Sequence, residues 1–232
     1  LRDAPSLSTI SLIIPALNEA ECLPVLLHET PHTLLYEIIV VDNGSTDGTG
    51  AVARAAGALV VSEPRRGYGY ACAAGVAAAT GDILVFMDGD GSFVPDELQQ
   101  LVAPIVAGQA DLVLGTRFGG GMSTGAMPPH QRFGNHLVAW LVRLFYHVEL
   151  TDLGPFRAIR RERLAELQMQ ERTYGWPIEM MVKAAKRRFR LLEVPVRFRP
   201  RLAGQSKVGG TVRGTVLATY KILRVTFRYV WH

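Results

Sequence analysis

Along the first half of the chain, apolar residues fall in short unbroken runs, each bounded by glycine, proline or an acid. Residues 83–87 (ILVFM) are the clearest case, partly β-branched and set between Gly81-Asp82 and Gly89. A run this short without polar alternation predicts a strand buried on both faces, as in the middle of a parallel sheet. The same texture marks residues 10–14 (ISLII), 36–41 (YEIIVV), 58–61 (ALVV) and 111–114 (DLVL). Helical patterns lie between them: residues 20–29, with Pro24 tolerated in the first turns, then a helix capped by Ser45 or Thr46 with Asp47 in its first turn. An alanine-rich stretch follows Gly69, its small side chains suited to close approach to a sheet, and residues 96–107 predict a further helix. Strands alternating with helices of this length build a mostly parallel sheet with right-handed crossovers.

After Gly115 the texture changes. Residues 117–129 are rich in glycine and proline, too long for an ordinary connection, and predict a mobile functional loop. Residues 130–147 carry helical periodicity through Phe133, Leu137, Trp140, Leu141 and Leu144. Residues 152–159 (DLGPFRAI) predict a turn entering a strand, 177–188 an amphipathic helix, 190–198 an alternating strand, and 200–210 a flexible basic loop. A closing amphipathic helix spans 211–231. Its Arg213, Lys221, Arg224 and Arg228, with His232, fall within about 100° of one another on a helical wheel. That stripe is either a solvated face or a surface that lies on anionic lipid headgroups.

Composition narrows this picture. At 232 residues and 48% apolar, the chain suits one α/β domain with a substantial core. The net charge is only +4, but basic residues crowd the last third and point to an anionic partner there. Cys22 and Cys72 lack metal-ligand spacing, so a reduced, intracellular setting with both in the core is expected. No stretch approaches the roughly 20 apolar residues of a membrane span. No signal-peptide pattern opens the chain, and a first residue other than Met leads us to expect a processed one.

Acids terminate three of the predicted strands: Asn18-Glu19, Asp42, and the pair Asp88 and Asp90. In an open α/β sheet, ligands bind at the carboxyl ends of the strands. Two acids one residue apart in a glycine-rich turn can both face a hard divalent cation that also holds a diphosphate. A plain polar turn is the competing reading. An EF-hand fits poorly, since Phe93 and Gln99 stand where that loop needs Gly and Glu. Neither Gly-x-x-x-x-Gly-Lys nor Gly-x-Gly-x-x-Gly is present, which disfavours a P-loop and a nicotinamide dinucleotide fold. Asp42 is placed to accept hydrogen bonds from a base or a ribose, with Arg66 nearby for base or phosphate.

The stretches PALNE, VVDNGSTDGT, RRGYGYACAAG and TGDILVFMDGDG resemble the nucleotide-sugar half of glycosyltransferase family 2, with its GT-A fold. In the second half, Gly115-Thr116-Arg117, Arg132-Phe133-Gly134-Asn135, Asp152-Leu153-Gly154-Pro155-Phe156-Arg157 and Gly204-Gln205-Ser206-Lys207 resemble the dolichyl-phosphate mannose synthase and polyprenyl-phosphate glycosyltransferase branch. The resemblance implies one GT-A domain over residues 1–232, with a nucleotide-sugar half (1–116) and an acceptor half (117–232). It assigns the nucleotide sugar to Pro15, Asn18, Glu19, Asp42, Ser45, Arg66, Gly67, Asp88, Gly89 and Asp90, with Mg²⁺ or Mn²⁺ on Asp88 and Asp90. Arg117, Arg132, Arg201, Ser206 and Lys207 would hold acceptor phosphate, and Asp152, Glu179, Arg132 and Lys207 are the catalytic candidates. Two departures stand out: Ser92 replaces a frequent Gln, and Pro155 an Asp found in some relatives. Glu179 stands where many family 2 enzymes keep a base; a helix-start acid favoured by the macrodipole is the plainer reading.

Acceptor chemistry separates the alternatives. A sugar hydroxyl needs a positioned base, whereas a phosphomonoester is already an oxyanion at neutral pH and needs positive charge. The basic second half favours a lipid phosphate, attacked through its oxygen with inversion at the anomeric carbon. A hydroxyl acceptor, or a nucleotide-sugar-binding module without turnover, are the competing readings. Few aromatics lie among the basic loops, so nucleic acid is not an expected partner. The expected location is cytoplasmic, at the inner face of a membrane.

Overall fold

The computed structural model describes residues 8–119, 121–123, 126–204 and 212–230, with backbone only at 130–131 and 212–219. Seven strands form one sheet: β1 (Ile10–Ala16), β2 (Glu37–Asp42), β3 (Leu59–Ser62), β4 (Ile83–Phe86), β5 (Leu112–Thr116), β6 (Arg157–Arg160) and β7 (Leu191–Pro195). Their order is β3-β2-β1-β4-β6-β5-β7. Only β6 runs antiparallel, against β4 and β5; the other pairings are parallel. This is the α/β fold that the patterning predicts. Among the described residues eight α-helices flank the sheet: α1 (Leu23–Glu29), α2 (Thr49–Ala55), α3 (Tyr68–Ala78), α4 (Leu98–Val106), α5 (Pro129–Tyr146), α6 (Arg161–Leu167), α7 (Trp176–Lys186) and α8 (Val212–Arg228).

The unbroken apolar run of β4 has a direct cause. Leu84 and Phe86 pack with Ile13 and Trp176 on one face, while Ile83 and Val85 pack with Leu12 and Ile14 on the other. Both faces are dry, so period-2 alternation has no polar half. Helix α3 lies close over the sheet because Gly75 has no Cβ; one added there would strike the Ile13 side chain. Cys22 and Cys72 are free and buried, as expected of core residues.

Several local expectations are corrected. Helix α1 begins at Leu23, because Glu19 and its neighbours form a turn whose carbonyl takes the Cys22 and Leu23 amides. Neither Ser45 nor Thr46 caps α2: the Asp47 carboxylate accepts the Thr49 amide at 3.0 Å and leaves Ser45 for the β1 loop. The turn entering a strand expected over 152–159 is present, with 152–156 leading into β6 at Arg157. Helix α6 has no counterpart in the sequence reading. The start of β5 is fastened by Asp111, whose carboxylate takes the Arg190 amide at 2.9 Å and its guanidinium at 2.9 and 3.1 Å.

Helix α5 presents the periodic stripe to the outside. Phe133, Leu137, Trp140 and Leu144 are 71, 37, 57 and 50% exposed, while Val138, Ala139, Leu141 and Val142 form the buried face. Helix α8 packs alongside, with the Tyr146 hydroxyl donating to the Thr226 carbonyl at 2.5 Å and the Phe145 and Phe227 rings 5.6 Å apart. Of the expected basic stripe, Lys221 is half-buried and Arg224 and Arg228 are exposed; the side chains of Arg213 and His232 lie outside the described residues. No helix among the described residues is long and apolar enough to cross a membrane.

Candidate active site

Parallel strands bring their carboxyl ends to one edge, and β6, running the other way, brings its preceding turn to the same edge. The segments that follow six strands, and that turn, therefore meet there. Pro15 and Ala16 close β1, and Gly89 lies against them, where a Cβ would sit 3.3 Å from Ile14 and 3.5 Å from the Pro15 carbonyl. Asn18 adopts φ 52°, and its side-chain carbonyl accepts the Thr46 amide at 2.8 Å while its own amide donates to Ser45 Oγ at 3.0 Å. Half-buried Asp42 ends β2 and accepts the Ser45 amide at 2.9 Å. Asn43 ties this loop to the one after β3, donating to the Glu63 and Arg65 carbonyls and accepting the Gly67 amide at 2.9 Å. Exposed Arg66 reaches back to the Gly44 carbonyl at 3.0 Å. Asp42, Ser45, Asn18, Arg66 and Gly67 thus form one connected rim.

The β4 loop carries the acids. Asp90 is held on both oxygens: Ser92 donates to one through its hydroxyl (2.7 Å) and amide (3.0 Å), and Arg201 approaches the other at 3.3 Å. Arg201 also donates to both oxygens of buried Glu19 at 2.8 and 2.6 Å. Arg201, expected at an acceptor phosphate, therefore bridges the β1 and β4 acids in this structure. Burial, reinforced by the neighbouring charge of Asp90, pushes the Asp88 carboxyl up to about 7, with the nearby Tyr68 side chain opposing the rise.

Those features fit a hard divalent cation. Two carboxylates stand one residue apart where burial disfavours the charge of Asp88, and the Arg201 guanidinium already sits beside Asp90. Among the described residues no cluster of three or more His, Cys, Asp or Glu forms a metal site, so Asp88 and Asp90 would share the ion with diphosphate oxygens and water. Ser92 spends its hydroxyl proton on Asp90, which makes it a support for the loop.

Of the residues expected at an acceptor phosphate, Arg117 stands immediately after β5. Its amide, Nε and Nη2 all donate to fully buried Asp152, at 2.8, 2.8 and 2.6 Å. The guanidinium also lies over the Phe198 ring, 5.2 Å from the centroid. A planar cation fixed on one edge and one face keeps its remaining N–H groups pre-aimed, the arrangement suited to a phosphate. Arg132 stands exposed in the first turns of α5. Ser206 and Lys207 lie outside the described residues.

Glu179 belongs to a different cluster. Its buried carboxylate accepts the Gln170 amide (3.0 Å), the Glu171 amide (2.7 Å) and the Tyr229 hydroxyl (2.7 Å), and pairs with Lys183 at 2.8 Å. Burial pushes its acidity down, but Lys183 and the other donors outweigh it and hold its pKa below the ordinary value. None of the strand-end acids is among its partners. No role follows from the sequence for Tyr68, Phe198 or Arg157, although Tyr68 and Arg157 lie in the stretches that carry the family resemblance. Arg157 is fully buried, donates to the Pro177 (2.9 Å), Leu153 and Gly154 carbonyls, and leaves Nε without a partner among the described residues. Lone aromatics or arginines in strand-like runs give no sign of such roles.

A mostly parallel sheet with acids and a fixed arginine at its ligand-binding edge is an arrangement able to hold a nucleoside diphosphate and a divalent cation. The sequence profile of glycosyl transferase family 2 matches residues 11–174, and the protein belongs to that family. It is 40% identical over 216 residues to an uncharacterized glycosyltransferase of Mycobacterium tuberculosis, covering 93% of this chain and 97% of that one. A polyprenol monophosphomannose synthase of Mycolicibacterium smegmatis is 33% identical over 218 residues, covering 86% and 81%. Among solved structures, glucosyl-3-phosphoglycerate synthase from M. tuberculosis in complex with Mn²⁺, UDP and phosphoglyceric acid is similar at TM-score 0.76 and 25% identity, covering 96% and 78%.

Proposed function

We propose that this glycosyltransferase moves a sugar from a nucleotide sugar to a lipid phosphate of the polyprenyl-phosphate type, inverting the anomeric carbon. The observation that carries this reading is the state of its two candidate bases. Asp152 is consumed by Arg117, and Glu179 by Lys183, Tyr229 and two amides. A hydroxyl acceptor needs a carboxylate free to take its proton; an ionised phosphate does not.

In this reading Asp42 and Arg66 receive the nucleoside, and Asp88 and Asp90 hold Mg²⁺ or Mn²⁺, which when bound offsets charge on the departing diphosphate. Arg117, Arg132, Ser206 and Lys207 orient the acceptor phosphate. One of its oxygens bonds to the anomeric carbon as the bond to the diphosphate breaks, and no proton is transferred. Residues 1–116 serve the donor and 117–232 the acceptor. The apolar stripe of α5, beside the cations of α8, supports peripheral contact with the cytoplasmic face of a membrane.

Transfer to a hydroxyl of a soluble acceptor is the second reading, favoured by the similarity to a structure that holds phosphoglyceric acid, a small molecule with both a hydroxyl and a phosphate. The test is transfer from a panel of UDP- and GDP-sugars to a short-chain polyprenyl phosphate, its alcohol, and 3-phosphoglycerate. Preference for the lipid phosphate is expected; preference for the alcohol overturns the proposal, and preference for phosphoglycerate selects the second reading.

A further inference from the structure

The turn that presents Asp152 to Arg117 is itself held by side chains from three elements. Glu193, in edge strand β7, accepts the Thr151 amide at 2.9 Å, the Asp152 amide at 3.0 Å and the Thr151 hydroxyl at 2.9 Å. Asn135 of α5 donates to the Thr151 carbonyl at 3.1 Å and accepts the Leu153 amide at 3.0 Å. Thr116, the residue before Arg117, lies 2.8 Å from the Thr151 hydroxyl. The direction of that last bond is decided by chemistry. A carboxylate only accepts, so Thr151 spends its single proton on Glu193 and Thr116 must donate to Thr151.

We propose that Glu193 is a positioning residue for the acceptor arginine: it fixes residues 151–152, which fix Asp152, which fixes Arg117. The assignment rests on the lipid-phosphate reading given above. Its chemistry calls for a carboxylate. Three donors converge on two oxygens, and an amide would turn an N–H toward an amide N–H of the turn while losing one acceptor. A small rotation of the turn is enough to spoil the three-point grip on Arg117, because those bonds are 2.6–2.8 Å long and directional. The effect therefore falls on the acceptor and spares the donor rim, to which Glu193 makes no contact among the described residues.

The test compares Glu193→Gln, Arg117→Lys and the double variant, varying short-chain polyprenyl phosphate and nucleotide sugar separately below the melting temperature. Glu193→Gln is expected to raise the acceptor KM about tenfold, at about 1.4 kcal/mol per factor of ten, with the donor KM within about twofold. The double variant should be little worse than Arg117→Lys alone, as for residues acting through one group. Equal changes in donor and acceptor constants, or losses that simply add, overturn the assignment. Thr151→Val, which removes one donor to Glu193, carries the same comparison if Glu193→Gln does not fold. Wild-type preference for the alcohol overturns the phosphate reading itself. Wild-type preference for the phosphate with additive losses overturns only the role of Glu193.

Discussion

Arg201 lies 3.3 Å from Asp90 and grips Glu19 with two bonds of 2.6 and 2.8 Å. A side chain from beyond β7 thereby joins the acids that end β1 and β4. Its guanidinium offsets negative charge at the place where a divalent cation is proposed to bind, so the two cations compete electrostatically.

Replacing Arg201 with Met should tighten Mn²⁺ binding roughly tenfold, because a unit charge about 4–8 Å from a divalent ion repels it by about 1–2 kcal/mol at a water-like dielectric of about 80. The same change should lower the melting temperature of the metal-free protein, since Glu19 loses its buried partner. Calorimetric titration with Mn²⁺ reads the first effect; unchanged or weaker binding would place the ion elsewhere.

Asp90→Ala should abolish transfer by at least about 10²-fold, and chelation should do the same to the unaltered protein. The fold should persist, since the core is built from both faces of the sheet and not from this loop. Full activity of Asp90→Ala in excess chelator would remove the metal assignment.

Glu179→Gln should cost about 2–3 kcal/mol of stability, because it leaves Lys183 buried beside a neutral group. Transfer measured below the melting temperature should stay within about threefold of the original rate. A large loss of kcat at unchanged stability would restore Glu179 as a base.

Acid sensitivity should trace partly to Asp111. Hydrogen bonds from Arg190 lower its pKa from the ordinary 3.8 to about 2. A depressed carboxylate contributes stability above its unfolded value and loses it as pH falls through the folded one. Asp111→Asn should therefore lower stability at neutral pH and flatten the fall between about 4 and 2, as read by denaturant titration at several pH values.

Phe133→Ser and Trp140→Ser should each weaken binding to vesicles containing anionic lipid by about tenfold, the equivalent of re-exposing one large apolar side chain. Stability in solution should change by less than about 0.5 kcal/mol, because both side chains already face water. Vesicle sedimentation compares the variants; binding equal to the unaltered protein would assign the stripe to another partner.

The strands and their order of acids were legible in the sequence because burial on both faces leaves an unmistakable mark, and parallel strands always send their carboxyl ends to one edge. Asp88-Gly89-Asp90, Asp42 and Asn18-Glu19 could be placed together from that rule alone. The stripe of α5 was legible as helical periodicity but not in its direction, because an apolar face looks the same in sequence whether a core or a membrane covers it. What tertiary structure alone decided is who partners whom. Strand β6 inserts antiparallel between β4 and β5, a pairing no local pattern encodes, and so brings Asp152 to Arg117. Glu179 pairs with Lys183 one helical turn on, but Tyr229 reaches it from 50 residues away, and Arg201 reaches Glu19 and Asp90 across more than 100. Hydrophobic periodicity is a local consequence of burial and survives in a single sequence; the pairing of charges depends on which loops the sheet order makes neighbours.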